Sequence, residues 1–96
     1  MKTSEVITAI RLEAENRAQD DPNATWYLFG SALTDHQGAK DVDVVVIVSS
    51  EQHGRKIRDN LSVECRLLPV HLLILTEDEE RELDFIKAQH CVQLYP

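Results

Sequence analysis

At 96 residues the chain can bury one modest core and has no room for a second, substrate-shaping domain. Ten Lys and Arg against 17 Asp and Glu give a formal net charge of −7, which argues against extended nucleic acid, whose binding relies on basic side chains displacing counterions. No apolar run approaches the length of a bilayer span, no signal peptide is visible, and Cys65 and Cys91 stand outside any Cys-x-x-Cys, so a cytoplasmic protein with reduced thiols is expected.

Along the chain the hydrophobic period alternates between that of a helix and that of a strand. Residues 4 to 19 carry Val6, Ile10, Ala14 and Arg17 or Ala18 at helical spacing, before the turn cluster Asp20-Asp21-Pro22-Asn23. Thr25 to Gly30 reads as a strand, with Trp26, Tyr27 and Phe29 expected in the core rather than stacked on a base. Residues 32 to 40 are expected to hold a short helical turn and then a loop around His36-Gln37-Gly38. In that loop Asp35 reads as a turn former, with a metal contact the alternative, and His36 and Lys40 as solvated side chains, with a phosphate contact the alternative for Lys40. Val42 to Val48 is apolar on both faces, as a central strand covered by helices must be.

Ser49 with Gln52 is expected to cap the next helix, whose stripe of Ile57, Leu61, Cys65 and Leu68 ends at Pro69. Val70 to Leu75 makes a third strand. Thr76 with Glu79 forms a capping box for a helix reaching His90, with Leu83, Ile86 and His90 inward. The acidic run Glu77 to Glu80 suits the positive end of that helix dipole and needs no catalytic role. Residues 91 to 96 form a short edge strand or a packed tail. The order predicts an α/β fold: a small mixed β-sheet flanked by helices, in one domain spanning residues 1 to 96. Histidines 36, 53, 71 and 90 lack the spacing of a zinc site.

The chemistry is concentrated in Gly30-Ser31, nine residues, then Asp41-Val42-Asp43. Alternation along a strand sets Asp41 and Asp43 on one side, where two neighbouring carboxylates repel unless a cation lies between them. Hard oxygen ligands of this kind suit Mg²⁺, which completes its octahedron with water and phosphate oxygens. Gly30 admits a close backbone or phosphate, and Ser31 supplies a hydroxyl where free N–H groups can meet an anion.

This arrangement resembles the signature of the minimal nucleotidyltransferases of the DNA polymerase beta superfamily. The likeness extends over roughly residues 24 to 96, since Pro69 to Leu75 sits where that family has its third core strand, and the helix and final Val92-Gln93-Leu94-Tyr95 match its usual close. The resemblance implies a nucleotidyltransferase fold and transfer of a nucleotidyl group, AMP from ATP, to a hydroxyl acceptor. It also implies Gly30 and Ser31 on the phosphates, and Asp41 and Asp43 on one or two Mg²⁺ ions. Members of this kind are often antitoxins of toxin–antitoxin pairs, beside a small helical HEPN-type partner protein that some of them adenylylate.

One position departs from the pattern. The family's third carboxylate lies mid-strand, and the matching residue here is His71, a poor Mg²⁺ ligand with no charge when neutral. Three explanations stand open: His71 as general base, Glu64 or Glu77 as a stand-in acid, or a degenerate module that binds nucleotide, metal or partner without catalysis. The acceptor must be small, or be presented by a partner or a second copy of the chain.

Overall fold

The protein is described by a computed structural model covering residues 2–33 and 41–96. Helix α1 (Thr3–Arg17) leads into β1 (Thr25–Phe29), a single 3₁₀ turn (Gly30–Leu33) and β2 (Val42–Val48). Then come α2 (Glu51–Asn60), α3 (Val63–Arg66), β3 (Val70–Thr76), α4 (Glu77–Leu83), α5 (Phe85–Ala88) and β4 (Val92–Tyr95). The four strands form one mixed sheet in the order β3-β2-β1-β4. β2 runs antiparallel to β1 and parallel to β3, and β4 is antiparallel to β1. The α/β class and mixed sheet expected from the sequence are what the chain adopts.

Strand alternation divides the core in two. On one face Trp26, Leu28, Val42, Val44, Val46 and Val48 pack under α1, α2 and α3, which contribute Val6, Ile10, Ala14, Ile57 and Cys65. Gly54 lets α2 lie close: a Cβ there would stand 3.1 Å from the Ile74 Cγ2 and 3.3 Å from the Val48 Cγ2. On the other face Val45, Ile47 and Leu75 are buried, with Tyr27, Phe29, Phe85, Ile86 and Cys91 packed against them. Phe29 and Phe85 meet edge to face, centroids 5.1 Å apart. The cover on this second face comes from α4 and α5 at the carboxyl end of β3. At the amino end Leu73 and His71 remain exposed.

Several local expectations are corrected. The helix after β2 is broken: Leu61 turns to φ −56°, ψ 134°, and Ser62 starts α3 by accepting from the Cys65 N–H at 3.0 Å. The break is stabilised by Arg66, whose guanidinium donates to the carbonyls of Arg58, Asp59 and Leu61 and so satisfies the free end of α2. The cap of α2 is Ser50, accepting from the His53 N–H, not Ser49. Ser49 is taken by Asp21, whose carboxylate accepts from its N–H (2.9 Å) and hydroxyl (3.0 Å).

The last helix is also interrupted. Asp84 adopts the left-handed conformation (φ 51°, ψ 41°) between α4 and α5, so Leu83 and His90 are exposed rather than inward. The capping box of Thr76 and Glu79 and the edge strand at 92–95 form as expected.

Candidate functional site

β1 delivers Gly30 to the rim of the sheet, and β2 brings Asp43 beside it. Phe29 pairs with Asp43 across the antiparallel ladder, so the next residue lies against the Asp43 side chain. Gly30 has φ +79°, a conformation that L side chains avoid. A Cβ there would stand 3.1 Å from the Asp43 carboxyl carbon, and its Oδ2 would be closer than any Cβ can approach. The absent side chain of Gly30 is therefore the space that the Asp43 carboxylate occupies.

Across the parallel ladder Asp43 is paired with His71. The His71 Nδ1 lies 3.5 Å from the Asp43 Oδ1, an ion pair when the ring is protonated, with His71 80% exposed and Asp43 26%. Asp41, two residues before Asp43 and just ahead of the strand, is exposed to solvent. Phe29 and Leu73 border this open patch of the second face. Nearby, burial raises the Tyr27 hydroxyl above its usual range, helped by the Glu80 and Cys91 charges.

Gly30, Asp43 and His71 are thus brought together, with Asp41 at the entrance of the strand. Ser31 belongs to the same 3₁₀ turn, but its side chain, like Asp35, His36 and Lys40, lies outside the described residues. Neither stand-in acid joins the pair. Glu64 sits on α3, against the opposite face of the sheet, and Glu77 opens α4 at the far end of β3 from His71. Among the described residues no group of three or more His, Cys, Asp or Glu is arranged to hold a metal ion. Asp41 and Asp43 supply two hard oxygen donors, which fits an ion that takes its remaining ligands from water and phosphate.

A second polar cluster went unread in the sequence. Glu13 is 5% exposed and accepts from the Ser62 N–H (3.1 Å) and hydroxyl (2.5 Å), with the Arg17 Nε 3.4 Å away. Arg17 Nη1 also donates to Asp20 and to the Asn60 carbonyl, and Asn60 donates to Asp20. Its members tie α1 to the α2–α3 break, a structural role that only long-range proximity reveals.

Compared with protein-family models, curated proteins and solved structures, the chain finds no match. Among the described residues no helix is long and apolar enough to cross a membrane.

Proposed function

We propose that the chain transfers a nucleotidyl group, AMP from ATP, to a hydroxyl acceptor. The observation that carries this reading is the Asp43 carboxylate seated in the space left by Gly30, on an open patch of sheet beside His71. Gly30 at φ +79° also makes the turn out of β1, and its missing side chain leaves room for the carboxylate beside it. Gly30 and Ser31 are assigned to the triphosphate, and Asp41 and Asp43 to Mg²⁺. When bound, the metal supplies positive charge against the phosphate oxygens.

The acceptor oxygen would attack the α-phosphorus as the bond to the pyrophosphate oxygen breaks. The hydroxyl proton would pass to the His71 imidazole, whose Nδ1 is turned to Asp43 so that Nε2 is the nitrogen left to receive it. The acceptor is proposed to reside on a partner, a small helical protein of the HEPN type. The two free thiols accord with a cytoplasmic setting.

The second reading is an interaction or nucleotide-binding module without turnover, favoured by the histidine where a third carboxylate would complete the metal set. Calorimetric titration with a non-hydrolysable ATP analogue, with and without Mg²⁺, tests the site against an Asp43→Asn variant. Metal-dependent binding that the variant loses is expected, and absence of binding under every condition refutes the nucleotide reading. Transfer of labelled AMP, lost in the double variant of Asp41→Asn and Asp43→Asn, separates enzyme from module.

A further inference from the structure

The two edges of the sheet are unequally protected. β4 is four residues long, slips register against β1 between Trp26 and Tyr27, and is followed by Pro96. Short length, a bulge and a proline are the usual means by which an edge is kept from pairing with another chain. β3 has neither the shortness nor the bulge, and its flanking Pro69 directs its carbonyl to β2 and so leaves the outer side unblocked. It runs seven residues, Val-His-Leu-Leu-Ile-Leu-Thr, with unbroken register against β2 and without proline, lysine or carboxylate.

Its unpaired backbone groups can be named. In a parallel ladder alternate residues direct both N–H and C=O to the same neighbour. The Val42 N–H donates to the Pro69 carbonyl at 2.9 Å, so the odd-numbered residues of β3 face β2 and the even-numbered ones face outward. At the strand's ends the outward N–H groups are satisfied: Val70 donates to the Leu68 carbonyl and Thr76 to the Glu79 carboxylate. In the middle, Leu72 and Ile74 have no such partner among the described residues. Their side chains are half-buried on the α2 face, and Leu73 is 36% exposed on the other.

We propose that β3 pairs antiparallel with β3 of a second copy of this chain, joining two four-stranded sheets into one across a two-fold axis at Leu73. In that register Leu72 of each copy faces Ile74 of the other, and the two residues exchange the hydrogen bonds each lacks. Leu73 meets Leu73, and His71 faces Leu75, so apolar side chains meet on both faces of the joint. The notch beside the edge is lined by Glu51 and Glu79, Arg55 and Arg58, two charges of each sign, with Arg55 3.8 Å from Glu51 on its own helix. A chain of net charge −7 repels its copy over most of its surface, and here that field is locally cancelled. Pairing also lays the second copy beside His71 and extends the open patch around Asp43, although it does not depend on the nucleotide reading.

The test combines mass with a register-specific crosslink. Sedimentation equilibrium of the full chain at micromolar concentration is expected to give twice the monomer mass, and Leu73→Lys, which sets like charges opposite one another, to return it to monomer with an unchanged circular dichroism spectrum. In a Cys91→Ser background, Leu73→Cys should oxidise to a disulfide-linked dimer, since directly opposed non-hydrogen-bonded residues lie about 4.5 Å apart between Cα atoms. Leu72→Cys, offset from its own copy, should not. A monomer at all concentrations overturns the proposal. So does a dimer that survives Leu73→Lys, or one that crosslinks through position 72 instead of 73.

Discussion

The closest juxtaposition in the candidate site, Gly30 against Asp43, can be tested by a double-mutant cycle. Gly30→Ala has two separate costs. Holding a Cβ at φ +79° costs about 1–2 kcal/mol for the backbone alone. The added carbon also overlaps the Asp43 carboxylate, which must leave its place; forcing a side chain off its rotamer adds roughly 0.5–1.5 kcal/mol. Together these amount to about 2–3 kcal/mol, which for a domain of this size lowers Tm by roughly 10 °C or more. Asp43→Ala removes the carboxyl group and leaves only its Cβ, 3.3 Å from the new carbon. In that background Gly30→Ala should cost only the backbone part.

Urea unfolding followed by the fluorescence of Trp26, the single tryptophan and 1% exposed, measures all four proteins. The difference between the two backgrounds, roughly 0.5–1.5 kcal/mol, is the coupling expected of groups in direct contact. Equal costs in both backgrounds would refute the placement of the carboxylate over the glycine, and with it the observation on which the nucleotidyl-transfer reading rests.

Other substitutions probe the frame that supports the site. Glu13→Ala strips Ser62 of its acceptor and takes the carboxylate 3.4 Å away from the buried Arg17 Nε, which makes no hydrogen bond of its own, so a loss of roughly 3 kcal/mol is expected in urea unfolding. Glu13→Gln, which still accepts from Ser62, should lose clearly less. Asp21→Ala frees the N–H groups of Asn23 and Ser49 and the Ser49 hydroxyl at a site 1% exposed, and should cost about 2–3 kcal/mol by the same measurement. Burial, reinforced by Glu13 and opposed by Arg66 and Arg17, pushes the Cys65 thiol up to about 11. A thiol whose folded value exceeds its unfolded one contributes its full share of stability below the unfolded pKa and loses it as pH rises through the folded value. The wild type should therefore lose more stability than Cys65→Ala between about pH 9 and 11. Parallel slopes for the two proteins would show that the thiol is not held in this environment.

What the sequence by itself determined was local. The two-sided apolar character and length of Val42 to Val48, the helical stripe of Val6, Ile10 and Ala14, and the capping box of Thr76 and Glu79 depend on neighbours within a few residues, and each is realised. Gly30 and the Asp41–Asp43 pair were legible for the same reason, since a turn glycine at a strand end and carboxylates at a strand start are local signals.

Tertiary structure decided the rest. The period of Ile57, Leu61, Cys65 and Leu68 suits one continuous helix, yet Ser62 is drawn to Glu13, 49 residues away, and Arg66 folds back to seal α2. Ser49 is a good cap by sequence, but Asp21, 28 residues earlier, captures it and passes the role to Ser50. The seating of Asp43 on Gly30, its pairing with His71 and the free edge of β3 all follow from strand order and register. Those are set by which apolar faces can be buried together over the whole chain, a choice that no short window of residues contains.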